Sequence, residues 1–367
     1  MILSENTSKR ITALRYLLIL LLVFDHNNFT KEFVADSTVE TVFNQSVFGE
    51  WLQFFISDAM TRCIVPLFFM FSSFLLAKKA DPYPVLLKKR CKSLLVPFVL
   101  WTCLYLFYYG GLKIVLSLVM PQLLNHPQNT MLGWTLADWV HQTLGYEIPA
   151  WANCNPGMAF QLWFVRDLLV LTALSPVLTF LIRKMPIMSF FLVSVALIFL
   201  PQVYFVKTNA LFFYVMGLYW GMYDVPLFER ADGIRWAEAA SAFVFGTVAW
   251  KLGWSGCGYF IVLFSSCLLM LKFSAVIVAR DKWYSVAAYL SEFSFFLYAI
   301  HAPVLHGLIE RIWLRFFPMV NGFFCLFEYF GVTILVAAIG TGLGIGLKKI
   351  CPPLFGLLNG GRRRQRS

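Results

Sequence analysis

Ten long runs of apolar residues divide the chain, and shorter polar segments separate them. The runs cover roughly residues 11–29, 58–77, 94–120, 161–182, 187–206, 210–223, 236–250, 256–279, 285–308 and 322–347. A helix needs about 20 mainly apolar residues to cross a membrane. Most runs approach that length, although the sixth and seventh are shorter. The pattern predicts an all-α integral membrane protein of about ten transmembrane helices.

Composition supports a membrane protein over a soluble one. Of the 367 residues, 59% are hydrophobic and only 13% are charged, whereas soluble domains average about 45–50% apolar and about 25% charged residues. Ten spans and their loops use up this length. We therefore predict a single transmembrane domain over residues 1–367, with a short basic tail at 348–367.

Positive charges are distributed unevenly between alternate loops. If the N-terminus lies inside, the inner segments carry twenty Lys and Arg residues and the outer segments carry five. The positive-inside rule then predicts a multi-pass protein of the cytoplasmic (inner) membrane with both termini cytoplasmic. This orientation explains the net charge of +11 better than nucleic-acid binding does, so no nucleic-acid partner is expected. The basic tail suits contact with anionic membrane lipids.

The eight cysteines are scattered along the chain. They form no C-x-x-C pair and have no histidine partner at zinc spacing. That arrangement argues against a disulfide framework and against a metal site. We expect no metal.

Ionisable side chains inside apolar runs are costly and usually functional, and the first run contains two of special interest. Arg15 and His26 are eleven positions apart. At 100° per residue they lie about 20° from the same helix face and about 16 Å apart along the axis. The spacing predicts a cavity wall with a guanidinium at one end and an imidazole nearer the other.

Further polar residues lie in later runs. Arg62 is near the start of the second run and Arg166 is next to Asp167 in the fourth, while Ser294 and His301 share a helix face in the ninth. Two alternatives stay open from the residues alone. The Arg166–Asp167 pair can be a local charge compensation, and His301 can be a helix-end histidine bonded to the backbone.

Two loops also have alternative interpretations. The segment from Lys78 to Lys92 is dense in cations, which suits either membrane topology alone or the phosphates of a cytosolic ligand. The long outer segment 121–160 lacks Lys and Arg and carries several tryptophans. Those rings can stack on sugars or form an interfacial belt.

Five sequence motifs, taken in order, resemble membrane-bound acyltransferase family 3. The first run matches an Arg-x10-His signature, and the second resembles P-x-F-F-x-x-S-G-F with Ser73 in place of the usual glycine. In the basic stretch, Lys89 and Lys92 occupy the places of a frequent R-x-x-R pair. The motifs are Arg15–His26, Pro66–Leu76, Lys89–Phe98, Leu162–Arg166 and Ser294–His301.

The resemblance implies an O-acyltransferase, in the first instance an O-acetyltransferase, that uses acetyl-CoA or another acyl-CoA as donor. The implied acceptor is a carbohydrate or glycolipid at or beyond the outer membrane face. The implied catalytic residues are His26, as general base or covalent acyl carrier, and Arg15. The implied substrate or transition-state contacts are Arg62, Arg166, His301 and Ser294, and the implied acyl-CoA-binding residues are Lys88, Lys89, Arg90 and Lys92.

Two other functional classes compete with this interpretation. A secondary transporter or flippase of a glycolipid or small metabolite also uses buried Arg, His and Glu residues, and inverted repeats would favour it. The sequence contains no convincing repeat. A non-enzymatic sensor or scaffold has no need of charges inside the membrane.

Overall fold

The computed structural model describes residues 3–27, 47–79, 81–120, 134–144, 159–200, 202–203, 206–318 and 321–361. Most of the predicted outer loops and the arginines of the tail, Arg362–Arg366, lie outside these ranges. The helices are α1 Glu5–His26, α2 Val47–Ala77, α3 Tyr83–Val119, α4 Leu136–Leu144, α5 Phe160–Lys184, α6 Pro186–Phe199, α7 Thr208–Met222, α8 Leu227–Gly233, α9 Trp236–Lys251, α10 Ser255–Val278, α11 Asp281–Ser291, α12 Ser294–Phe316, α13 Gly322–Ile350 and α14 Pro352–Leu358. A hairpin joins β1, Gln202–Val203, to β2, Val206–Lys207.

Each predicted apolar run overlaps a helix, and the ninth overlaps the bent pair α11–α12, so the all-α membrane class is confirmed. Within the described ranges, five helices are long and apolar enough to cross a membrane (α2, α3, α5, α10 and α13), and the bent pair α11–α12 makes a sixth. The shorter helices α6, α7 and α9 have 14 to 16 residues. Helix α1 has 22 residues, or about 33 Å, but several charges interrupt its apolar character. Ten spans and the sides of the termini remain predictions.

The fifth predicted run extends too far at its C-terminal end. Helix α6 ends at Phe199, and Leu200 is extended at φ −124° and ψ 132°. Leu200 precedes Pro201 in the sequence, and a following proline disfavours the helical conformation. The β1–β2 hairpin then reverses the chain before α7.

Helix α1 lies at the centre of the bundle. It packs against α2, α10, α11, α12 and α13. Leu14 and Leu18 share one face of the helix and Val23 lies on the opposite side, yet all three are fully buried. A helix that is apolar all round is a buried one, so polar side chains on the central turns of α1 lie among the surrounding helices.

A close contact between α2 and α7 accommodates the unusual Ser73. Gly217 of α7 lies against this serine, and a Cβ added there would come within 2.2 Å of both Ser73 Oγ and the Met70 carbonyl oxygen. The Ser73 hydroxyl donates back to the Met70 carbonyl oxygen at 3.1 Å. The glycine opposite therefore provides the space that a serine at this position of the motif requires.

Helix α12 is interrupted just after His301. Ala302 is extended, with φ −134° and ψ 155°, because it precedes Pro303. The break removes helical partners from nearby carbonyls, and the hydroxyl of Tyr105 in α3 lies within hydrogen-bonding distance of two of them. Its Oη lies 2.9 Å from the Ala299 carbonyl oxygen and 2.7 Å from that of Ala302.

A buried arginine joins the start of α1 to α8 and α10. Arg10 is 2% exposed, and its guanidinium donates to both carboxylate oxygens of Asp232 at 2.5 and 2.9 Å. It also donates to Ser274 Oγ at 2.8 Å and to the Leu271 carbonyl oxygen at 2.7 Å. Phe228 covers the guanidinium, with its ring centroid 4.4 Å from Cζ. We call this group the Arg10 clasp.

Candidate functional site

A cavity of about 210 Å³ lies among α1, α2, α3, α5 and α12. All five motifs meet there, although they are far apart in the sequence. The lining residues are Ile11, Arg15, Ile19, Leu22, His26, Ile64, Val65, Phe68, Phe71, Ser72, Leu75, Arg90, Leu94, Gln161, Trp163, Phe164, Leu168, Ser294, Phe295 and Tyr298.

One stripe of α1 forms a wall of the cavity. Its members are three or four positions apart, which is the spacing of one helix face. Arg15 and His26 both belong to the stripe, as their eleven-residue separation predicts. We call the part of the cavity that contains Arg15 the arginine end, and the part that contains His26 the histidine end.

Arg15 has no hydrogen bond or ion pair with any residue in the described ranges. It is half-buried, and the cavity is otherwise lined mostly by apolar side chains. An uncompensated charge in such surroundings is costly unless an anion or a polar group pairs with it. The arginine end is thus suited to an anionic or strongly polar ligand.

Only one of the four predicted acyl-CoA-binding cations reaches the cavity. Arg90 lines it and donates from Nη2 to the Ser72 carbonyl oxygen at 3.3 Å. Lys88 and Lys92 are exposed, and the Lys89 ammonium is 2.9 Å from a carboxylate oxygen of Asp81. Successive helix positions diverge by 100°, so this stretch cannot direct all four side chains to one place.

Lys79 lies close to Arg90 and directly follows another lysine, Lys78. Lys78 forms an ion pair with Asp224. Burial, and after it the nearby charge of Arg90, lowers the pKa of Lys79. The part of the cavity lining that Arg90 forms is therefore close to a positively charged segment of the chain.

His26 lies among aromatic rings at the other end. Its ring centroid is 5.3 Å from that of Phe160 and 5.0 Å from that of His301. His301 is fully buried, and its Nδ1 is 2.7 Å from the Tyr298 carbonyl oxygen. The backbone hydrogen bond that the sequence analysis considered for His301 is thus present, but the ring lies in the interior of the protein next to His26. Ser294 lines the cavity and donates to the Ser291 carbonyl oxygen at 2.8 Å.

The two remaining predicted arginines lie outside the lining of the cavity. Arg62 donates to the Asp58 carbonyl oxygen at 2.7 Å and to its carboxylate at 3.2 Å. Arg166 is 2.8 Å from the carboxylate of Asp167, whose other oxygen accepts the Lys207 backbone N–H at 3.2 Å. Local charge compensation is thus present at Arg166. Roles for Arg62 and Arg166 in binding substrate stay predictions.

Sequence reasoning missed a glutamine at the histidine end. Gln161 lines the cavity, and its Nε2 donates to Tyr105 Oη at 2.8 Å and to the Ala299 carbonyl oxygen at 3.0 Å. The Tyr298 hydroxyl donates to the backbone carbonyl of Gln161. A polar residue directly before the Leu162–Arg166 motif was the available signal.

Asn27 was missed as well, although it directly follows His26. It is 3% exposed, and its Nδ2 donates to the Tyr329 carbonyl oxygen at 3.0 Å and to Thr333 Oγ1 at 3.3 Å. Its Oδ1 is 3.1 Å from His306 Nε2. Asn27 thereby holds the His26 end of α1 against α12 and α13.

The described residues contain no group of three or more His, Cys, Asp or Glu side chains that could hold a metal ion. Among the residues that line the cavity, His26 contributes an imidazole, and Arg15 and Arg90 contribute guanidinium groups. An imidazole can move a proton near neutral pH, and a guanidinium can stabilise negative charge on a ligand.

Comparisons with known proteins agree with the five motifs. A family model described as an acyltransferase domain, acyltransferase family 3, matches residues 8–345. A curated relative, the succinoglycan biosynthesis protein ExoH of Rhizobium meliloti (strain 1021), is 25% identical over 97% of this chain and 93% of its own length. No solved structure matches the chain. Because the family model covers most of the chain, the protein belongs to acyltransferase family 3.

Proposed function

We propose that the protein is a transmembrane O-acyltransferase that uses cytosolic acyl-CoA, in the first instance acetyl-CoA, as its donor. The proposed acceptor is a hydroxyl of a carbohydrate or glycolipid at or beyond the outer membrane face. The single observation that carries the proposal is the cavity in which Arg15 lies toward one end and His26 toward the other.

The arginine end suits the donor. Arg15 lacks a partner among the described residues, and Arg90 also lines the cavity. Acyl-CoA carries several phosphates, which guanidinium groups bind well. The apolar walls include Phe68 and Leu94. They suit the thin, mostly uncharged pantetheine arm of acyl-CoA, which would bring the thioester toward His26.

The position of His26 in the cavity lining supports a role in activating the acceptor. In the general-base route, its imidazole removes the hydroxyl proton as the hydroxyl oxygen bonds to the acyl carbon. The carbon–sulfur bond breaks, and His26 returns this proton to the departing thiolate, which leaves the imidazole neutral again. In the covalent route, His26 carries the acyl group between donor and acceptor. Both routes require the imidazole at the histidine end.

The choice of acceptor rests on the relative. Its name places it in the biosynthesis of succinoglycan, and the two chains align over almost their whole lengths. We therefore propose that the acceptor is a sugar of a polysaccharide or of its lipid-linked precursor.

The test is acyl transfer in proteoliposomes. The purified protein receives [14C]acetyl-CoA or [14C]succinyl-CoA on one side and a panel of oligosaccharides and polyprenol-linked sugars on the other. We expect label in the sugar fraction with wild type and at least a 10³-fold lower rate with His26→Gln at the same thermal stability. Unacylated sugar that crosses the bilayer would instead support a transporter. Undiminished transfer by His26→Gln would overturn the role of His26.

A further inference from the structure

A second concave surface lies on α1, on the side turned away from the cavity. It is a groove of about 360 Å³ where α1 meets α10 and α11. The four lining residues on α1 have the three- and four-residue spacing of one helix face, about 140° around the helix from the face of Arg15 and His26. Helix α1 therefore separates the groove from the cavity. The lining residues are Ala13, Tyr16, Leu17, Leu20, Phe273, Ile277, Trp283, Val286, Ala287 and Leu290.

The groove owes its shape and its apolar character to the side chains that line it. Ala13 and Ala287 carry only a methyl group, so they leave a depression between the helices. The hydroxyl of Tyr16 is engaged by Thr341 of α13 at 2.8 Å, so this ring brings no unsatisfied polar group to the lining. The surface suits a hydrocarbon chain. The large apolar side chains of the lining that are exposed are Phe273, Trp283 and Val286.

One end of the groove carries positive charge. The guanidinium of Arg280 lies over the Trp283 ring, with Cζ 4.0 Å from the ring centroid, and Trp283 lines the groove. Lys282 directly precedes Trp283 and is exposed. Neither Arg280 nor Lys282 forms an ion pair with a residue in the described ranges. Both cations are therefore available to an anion at the end of the groove.

The start of α1 adds further charges at the same end. The Lys9 ammonium lies 5.9 Å from the centroid of the Tyr284 ring, so the start of α1 adjoins the start of α11. Lys9 is 2.7 Å from a carboxylate oxygen of Glu5, and Asp281 is also near it. Three cations and two carboxylates thus meet here, and the two cations next to Trp283 are the ones without an ion-pair partner among the described residues.

We propose that the groove binds an anionic phospholipid of the surrounding membrane. Its phosphate is held by Arg280 and Lys282, since a guanidinium donates paired hydrogen bonds to phosphate oxygens. One acyl chain lies along the groove against α1. If the N-terminus is cytoplasmic, as the loop charges predict, this end faces the leaflet whose surface potential is negative.

A lipid-linked sugar also combines a phosphate with a hydrocarbon chain, but the groove suits it less well. The positions from Ala13 to Leu20 precede His26 by 13 to 6 residues, or about 20 to 9 Å along the helix axis. A carrier whose phosphate is held by Arg280 would have its sugar at the opposite end of α1 from His26. The phospholipid therefore serves as a support for α1, and its binding does not require that the protein transfers acyl groups.

The first test measures the charge dependence of lipid binding. Native mass spectrometry of the full-length protein, titrated in detergent with dioleoyl phosphatidylglycerol or dioleoyl phosphatidylcholine, gives the dissociation constant of the first bound lipid. A cation near an anionic headgroup contributes about fivefold, so Arg280→Gln/Lys282→Gln should weaken binding of phosphatidylglycerol about 25-fold. Binding of phosphatidylcholine should stay nearly unchanged.

The matched control removes two cations elsewhere. Arg183 and Lys184 are exposed at the end of α5, and Arg183→Gln/Lys184→Gln should leave the affinity of the first phosphatidylglycerol nearly unchanged. Equal losses in the two double variants would assign the effect to the overall charge of the surface and overturn the proposal. Unchanged affinity in Arg280→Gln/Lys282→Gln would overturn it as well.

The second test locates the acyl chain. A small fraction of phosphatidylglycerol with brominated chains, in phosphatidylcholine vesicles, should quench the fluorescence of Trp283, and the part of the quenching that is lost in Trp283→Phe reports this ring. Ala287→Phe fills the groove without changing its charge and should abolish that part. The thermal unfolding midpoint of Ala287→Phe in lipid-free detergent checks its fold, and Arg280→Gln/Lys282→Gln, which alters only exposed side chains, should lower the same signal.

Two outcomes of the second test contradict the proposal. Quenching of Trp283 that persists in full in both variants would show that lipid contacts this ring without occupying the groove. Stronger competition by a polyprenyl phosphate than by unbrominated phosphatidylglycerol would assign the groove to the lipid carrier of a sugar instead of a phospholipid.

Discussion

Two arginines of α1 lie five residues apart and have opposite surroundings. Arg10 donates hydrogen bonds to Asp232, Ser274 and the Leu271 carbonyl, whereas Arg15 lines a cavity and has no such partner within the described ranges. Five positions correspond to about 140° around a helix, so the two side chains leave α1 in different directions. One helix therefore supports both a structural contact and the candidate site.

The difference lies in how completely each guanidinium is paired. Arg10 has its charge compensated by a carboxylate and its N–H groups taken by fixed acceptors, which stabilises one arrangement of α1, α8 and α10. Arg15 stays charged without a fixed acceptor, which costs stability and leaves a group that can bind an anion. Incomplete pairing inside a membrane protein is thus a better sign of function than charge alone.

The largest expected effect is on transfer by Arg15→Met. Removing the guanidinium takes away stabilisation of negative charge on the donor, so kcat/KM for acetyl-CoA should fall about 10²- to 10³-fold, or about 3–4 kcal/mol. The midpoint of thermal unfolding should stay the same or rise, because an unpaired charge is lost. Full activity, or a clear loss of stability, would make Arg15 resemble Arg10 and would remove the contrast.

The second-largest expected effect is a loss of stability when Asp232 of the Arg10 clasp is replaced. Asp232→Asn leaves the charge of Arg10, which is 2% exposed, without compensation in the interior. Removing one partner of a buried pair costs about 3 kcal/mol or more. We expect that loss in the free energy of unfolding, measured by SDS titration in mixed micelles, whereas kcat/KM per folded protein should change little.

Replacing Arg10 should lower the free energy of unfolding less than replacing Asp232 does. In Arg10→Met the remaining carboxylate of Asp232 is 43% exposed and water can solvate it, so the cost should be about 1–2 kcal/mol. The double variant Arg10→Met/Asp232→Asn should be no less stable than Arg10→Met alone. Equal losses from the two single variants would show that burial of Arg10 is not what makes the pair matter.

The sequence predicts one of these arginines well and the other poorly. Arg15 and His26 could be placed on one face because helical periodicity is local. Arg10 looked like a loop cation that sets orientation, since its partner Asp232 is 222 positions away in the sequence. The buried place of His301 beside His26 was equally hidden, because it depends on how α12 packs against α1.

The motifs predicted which helices meet, but not which side chain of each motif faces the cavity. Four cations of the basic stretch were assigned to the donor, and only Arg90 lines the cavity. The family resemblance gives the order of the motifs along the chain. It does not give the direction of each side chain, which depends on where the helix begins. The number of spans also stays open. Helix α1 contains several charges, and helices α6, α7 and α9 are short, so a criterion based on length and hydropathy does not decide whether these four cross the membrane.

The smallest expected effect is on the binding of acetyl-CoA, when Arg90 is replaced. Arg90→Gln should weaken binding of acetyl-CoA about tenfold, or about 1.4 kcal/mol, and 0.5 M salt should change this ratio little because the side chain is partly buried. Lys88→Gln removes an exposed charge, so its effect should be smaller and should vanish in 0.5 M salt. Arg183→Gln is the matched control, since Arg183 is an exposed cation at the end of α5 and should leave binding unchanged. Calorimetry in detergent measures all three, and equal, salt-sensitive losses for Arg90 and Lys88 would assign donor binding to the whole basic segment instead of the cavity.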